Sequence, residues 1–149
     1  MCIPLRIAEY DKSTKAVTVL LRGLAFANGV ALSKDKSIIL VAENSTGRIL
    51  RFWLKDPHAG QHYTFIDPTE YPNNIGRKSK WEFWVALHSK RLWQAHVNAI
   101  KLNEDDQVLE VLEDIESKTL EFTSEAEEKN NKLWIGSIMV PFVRVYGLS

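Results

Sequence analysis

Three short apolar segments recur along the chain at nearly constant spacing. They are SIILVA from Ser37, EFWVAL from Glu82 and KLWIGS from Lys132, set 45 and 50 residues apart. Each carries a small residue near its end (Ala42, Ala86 or Gly136), and each follows a polar turn. A repeat of that length matches one four-stranded blade of a β-propeller, which buries its faces only by stacking on neighbouring blades. The sequence therefore predicts an all-β fold, a partial β-propeller of about three blades. Propellers close with four to eight blades. A three-bladed piece leaves unpaired strand edges, which invite pairing with another chain. Self-association through open blade edges is the expected consequence.

The remaining patterning agrees. AVTVLL, GVALS, GRILRFWLK, VNAIKL and FVRVYGL read as further strands. DKSTK, NSTG, DPHAG, YPNN, NEDD and KNNK read as the turns between them. EDDQVLEVLEDIES is ambiguous. Val108, Val111, Leu112 and Ile115 fit a helical face, but QVLEVL also fits a strand paired with VNAIKL across NEDD. The short polar turn favours the hairpin. The acidic run EAEEKNNK reads as a solvated turn.

Composition excludes several partners. Lys plus Arg and Asp plus Glu are both 19, for a formal net charge of zero. That removes the electrostatic case for nucleic acid. No apolar run approaches the roughly 18 residues of a membrane span. The first residues contain no apolar stretch of signal-peptide type. Cys2 is the only cysteine, so no intrachain disulfide forms.

Asn28 and Asn73 are the principal site candidates. Asn28 lies fourteen residues before Ala42, and Asn73 thirteen before Ala86, so they occupy equivalent places in successive repeats. A propeller brings the innermost strands of its blades to a common axis, where such residues converge. Amide oxygens suit a hard cation such as Ca²⁺. Alternatively, the two amides hydrogen-bond strand backbones around the channel. His88 closes EFWVALH at a strand end that can face a pocket, as a base or a polar anchor for a small-molecule substrate. Asn44 opens the sequon Asn44-Ser45-Thr46, a possible glycan acceptor on the secretory route. His58 and His62 have i, i+4 spacing, but Pro57 and Gly60 exclude the helix that would join them. Trp53, Trp84 and Trp134 lie in apolar strands and are expected to pack between blades; Trp93 has no clear place. No GxSxG, HExxH or phosphate-loop pattern occurs.

With these residues in view, YDKSTKAVTVLLRGLAFANGVALSKDKSIILVAENSTGRILRFWLKDPHAG, YPNNIGRKSKWEFWVALHSKR and KLWIGSIMVPFVRVYGL resemble the plant strictosidine synthase-like family, in the family's order, from Tyr10 to Leu148. That family is similar to the six-bladed propellers that include regucalcin, the gluconolactonases and the paraoxonases. The resemblance implies a propeller with a pocket at one end of its channel. Residues 1–149 would form a single conserved-region domain, the C-terminal half, without the N-terminal blades and the signal peptide before them. It implies the vacuole or the lumen of the endoplasmic reticulum. It implies activity on small organic substrates, either alkaloid-type condensation (a lyase) or ester and lactone hydrolysis. The alternative is an inactive remnant or an interaction module.

The resemblance also marks departures. Metal-dependent relatives pair the asparagine that Asn28 matches with an aspartate, where this chain has Asn73. Losing that charge weakens a divalent-cation site. The glutamate used by strictosidine synthase, in its condensation of tryptamine with secologanin, falls near Ser124. Neighbouring Glu125 should point the other way in an extended segment. A serine cannot supply the acid–base group that iminium chemistry needs, so true strictosidine synthesis is not expected. Trp81 replaces a turn glycine.

Overall fold

The computed structural model describes residues 5–66, 70–78, 81–88, 96–114 and 123–148. Cys2, Trp93 and Ile115 lie outside them. Within these residues the chain forms thirteen strands. They are β1 (Leu5–Asp11), β2 (Ala16–Leu24), β3 (Ala27–Leu32), β4 (Ile38–Glu43), β5 (Arg48–Trp53), β6 (His62–Ile66), β7 (Tyr71–Arg77), β8 (Glu82–His88), β9 (His96–Asn103), β10 (Val108–Asp114), β11 (Thr123–Lys129), β12 (Lys132–Ser137) and β13 (Arg144–Gly147). No helix among the described residues is long and apolar enough to cross a membrane.

The strands make four antiparallel sheets: the β1–β2 hairpin, β3-β4-β5-β6, β7-β8-β9-β10 and β11-β12-β13. Each of the last three runs outward from its first strand in chain order. The first strands touch in sequence, β3 against β7 and β7 against β11. This is a stack of propeller blades with the inner strands together. The three apolar repeats become β4, β8 and β12, the second strand of each blade.

Their apolar continuity follows from burial on both faces. Ile38, Leu40 and Ala42 of β4 pack toward Phe83, Val85 and Leu87 of β8. Ile39 and Val41 turn the other way, against Leu21 and Leu24 of the hairpin. On β8, Trp84 and Ala86 face Ala126, Leu133 and Ile135 of the third blade. Such a strand reads as a continuous apolar run rather than an alternation. The 108–114 segment is strand β10, paired with β9 across residues 103–107, and not a helix.

Three strands escape the sequence reading, β1, β6 and β11, and the inner strand expected to begin at Asn73 is β7, which starts at Tyr71. YPNN opens β7 rather than only turning the chain, and most of EAEEKNNK is β11. The turn there is confined to Asn130 and Asn131, both at positive φ (52° and 57°). β11, an inner strand, carries polar residues and so lacks the apolar signal. Trp134 is a further correction. Trp84 is buried between blades, but Trp134 is 43% exposed, because β12 turns Leu133 and Ile135 toward the second blade and alternation turns Trp134 away.

Candidate functional site

The inner strands share one local irregularity. Ala27 pairs with Glu43 and Gly29 with Ala42, so Asn28 is an extra residue in β3. Pro72 pairs with Leu87 and Ile75 with Val85, so Asn73 and Asn74 together face Ala86. Thr123 pairs with Ser137 and Glu125 with Gly136, so Ser124 is extra in β11. Each is a β-bulge, which bends a strand and re-aims a side chain. Asn28, Asn73 and Ser124 are thus structural equivalents, one per blade. The spacing finds the first two. The third is reached only through the family resemblance, because β11 has no apolar pattern.

These bulges converge at one end of the blade stack. The Asn28 Nδ2 donates to Asn73 Oδ1. The Asn73 Nδ2 donates to the Thr123 carbonyl at 3.1 Å and lies 3.5 Å from His88 Nδ1. An amide nitrogen only donates, so this contact uses Nδ1 as acceptor and places the neutral ring's proton on Nε2. The Tyr71 ring lies against His88 with centroids 5.3 Å apart. Burial pushes the His88 imidazole below its ordinary value, and the charge of Glu70 pulls the other way. The ring is therefore held neutral near pH 7.

Residues beside this chain of contacts lock the blades together. A Cβ on Gly29 would meet Asn73 O at 2.5 Å, Ile75 N at 2.7 Å and Asn74 Cα at 2.8 Å. Only glycine lets β3 approach β7 so closely. The Asn74 Nδ2 donates to Glu125 Oε2 at 2.7 Å. Glu125 is exposed and Ser124 half-buried. Asn44 Nδ2 donates to the Pro72 carbonyl at 3.2 Å, tying the first blade to the second. That nitrogen is the atom a glycan would occupy. None of these interblade roles is marked by a sequence motif beyond the Asn-Gly and Asn-Asn pairs.

Within the described residues the donors at the bulges are two neutral amides, which by themselves make a weak set for a divalent cation. Asn73 Oδ1 already accepts a hydrogen bond from Asn28. Among the described residues no group of three or more His, Cys, Asp or Glu is placed to hold a metal. Two neutral amides lack the negative charge that a Ca²⁺ site draws on. His58 stands on the loop before β6, its ring tilted against that of Trp53 with centroids 5.5 Å apart, and is not joined to His62 in a helix. Trp81 adopts the left-handed conformation at φ 62°, as a glycine would, with Lys34 Nζ 5.6 Å from its ring centroid.

Comparison with known proteins gives this geometry a family. The family model described as strictosidine synthase matches residues 5–57. Strictosidine synthase-like protein 10 of Arabidopsis thaliana is 50% identical over 175 aligned positions, covering 96% of this chain and 47% of the relative. Strictosidine synthase-like protein 3 of the same plant is 34% identical, covering 96% of this chain and 45% of the relative. Among solved structures, a gluconolactonase from Xanthomonas campestris superposes with a TM-score of 0.67 at 16% identity, over 89% of this chain and 41% of that one. A regucalcin from Agrobacterium tumefaciens gives 0.60 at 15% identity, over 87% and 43%. Those likenesses establish the propeller fold. The chain spans about half the length of the curated relatives it matches, and it belongs to the strictosidine synthase-like family.

Proposed function

We propose that the chain supplies one wall of a small-molecule site at the bulged end of the propeller, and that the reaction there is hydrolysis of an ester or lactone. The convergence of Asn28, Asn73 and His88 from two blades carries this reading. The amides orient carbonyl and hydroxyl groups of a neutral ligand. His88, kept neutral by burial, takes the proton of an attacking water at Nδ1 once the ligand draws the Asn73 amide away from it, since Nε2 already carries the ring's proton. Tyr71 holds the ring in place. A condensation through an iminium ion is disfavoured, because Ser124 and not a carboxylate fills the third bulge. Ca²⁺ has no assigned role here.

The test is turnover of a panel of aryl esters, lactones and amine–aldehyde pairs by the purified chain, with and without Ca²⁺. The expected result is slow ester or lactone hydrolysis, indifferent to Ca²⁺, and reduced about 100-fold or more in His88→Gln. Absence of turnover, or an unchanged rate in His88→Gln, defeats the hydrolytic reading. A second reading, a non-catalytic interaction module, is favoured by the uncovered sheet faces at the two ends of the blade stack and would then stand.

A further inference from the structure

The second bulge is held from both neighbouring blades. Between Pro72 and Ile75 the β7–β8 ladder is interrupted, and Asn73 and Asn74 share the place opposite Ala86. Residues in a bulge lose the regular pairing that fixes direction in a strand. Contacts from outside the sheet then aim the two side chains. On the first blade's side Gly29 lies so close that its Cβ would stand 2.5 Å from Asn73 O and 2.8 Å from Asn74 Cα. On the third blade's side β11 supplies two acceptors. The Thr123 carbonyl accepts from Asn73 Nδ2 at 3.1 Å, and Glu125 Oε2 accepts from Asn74 Nδ2 at 2.7 Å.

Glu125 reaches Asn74 because of the bulge in its own strand. Strict alternation would send Ser124 and Glu125 to opposite sides of β11. The extra residue breaks that count. Gly136 stands opposite this pair. A Cβ on Gly136 would lie 3.6 Å from Glu125 Cβ and 3.9 Å from Ser124 Oγ, so both side chains leave β11 on one side. Glu125 is braced by its own strand as well, where Oε1 accepts the Ala126 N–H at 3.3 Å. The bond from Asn74 ends on a carboxylate, which makes it roughly twice as strong as a neutral one. The contacts of Asn73 itself are all to neutral groups: the Asn28 amide, the Thr123 carbonyl and the His88 ring.

We propose that Glu125 is a positioning residue of the ligand site, and that through Asn74 it sets the direction of the Asn73 amide. This role rests on the reading of Asn28, Asn73 and His88 as one site. Asn73 and Asn74 are consecutive in a single bulge, so a rotation of the Asn74 backbone is passed to Asn73. Asn73 then loses its alignment on Asn28 and on His88 together. A displacement of about 1 Å at such a contact can slow a reaction about 100-fold. Glu125 acts without touching the ligand.

The experiment compares the unaltered chain with Glu125→Ala, Glu125→Gln, Asn74→Ala and the double variant Asn74→Ala/Glu125→Ala. The first readout is the side-chain amide signals of Asn73 by NMR, with no ligand added. They should move in Glu125→Ala, move in the same direction in Asn74→Ala, and move no further in the double variant, because all three remove one bond. In Glu125→Gln, whose amide oxygen still accepts from Asn74, they should return to their unaltered positions. Hydrolysis of phenyl acetate should follow the same order, about 10-fold slower in Glu125→Ala and close to unaltered in Glu125→Gln. Asn73 signals that stay in place in Glu125→Ala while its melting temperature falls overturn the proposal, since the bond then only fastens the blades. Equal loss of hydrolysis in Glu125→Gln and Glu125→Ala also overturns it, because the carboxylate would itself be the active group. Moved Asn73 signals in a chain that hydrolyses nothing defeat the hydrolytic reading and leave the positioning role standing.

Discussion

Gly29 has no room for a side chain, since the three atoms nearest to a methyl group at that position would all be backbone of β7. Backbone cannot swing aside as a flexible side chain would. Gly29→Ala should therefore separate the first two blades slightly and cost about 1–3 kcal/mol, read by urea unfolding. Trp81 makes the opposite case. A bulky residue at φ 62° stores strain of about 1–3 kcal/mol, offset in part by the Lys34 contact and by glycine's own entropy. Trp81→Gly should leave the protein about 1 kcal/mol more stable by the same measurement. Single residues were partly legible in the sequence. The Asn-Gly pair and the odd tryptophan stand out by type alone. The link from Asn74 to Glu125 joins residues 51 apart, and no local pattern announces it.

Among the strands, Glu43 shows how a blade is fastened at the site end. Its side chain is buried and accepts the Ala25 N–H at 2.7 Å, the Thr46 hydroxyl at 3.1 Å and an ion pair from Arg48. It thereby ties the end of β4 to the link between β2 and β3. Burial alone would raise its carboxyl, but the Arg48, Ala25 and Thr46 contacts outweigh burial and hold it below the usual value of 4.5. A carboxyl lowered in the folded state contributes stability above its unfolded value and loses it as pH falls through the folded one. Thermal melts from neutral pH to below 4.5 should show a steeper acid loss in the unaltered chain than in Glu43→Gln. Glu43→Gln should also be about 1–3 kcal/mol less stable at neutral pH, since one buried partner is lost. The second strands of the blades were legible because burial on both faces makes them apolar. Of the inner strands, β3 was legible in GVALS and β7 only through its Asn pair, while β11 was not, because Glu125, Glu127 and Glu128 leave it no apolar pattern.

For the molecule as a whole, the repeat of 45 and 50 residues was enough to expect a propeller arc. Period survives in sequence even where single strands do not. The meeting of the bulges was not legible, because it depends on how one blade rotates against the next. On that meeting rests the proposal that Asn28, Asn73 and His88 act as one ligand site, indifferent to Ca²⁺. Thermal melts with and without Ca²⁺ should therefore coincide. The decisive experiment follows the side-chain amide signals of Asn28 and Asn73 and the ring signals of His88 by NMR, during titration with a lactone or aryl ester that the chain hydrolyses or binds. All three should shift together along one saturation curve. Saturable shifts elsewhere, with these three side chains unmoved, would rule out a shared site.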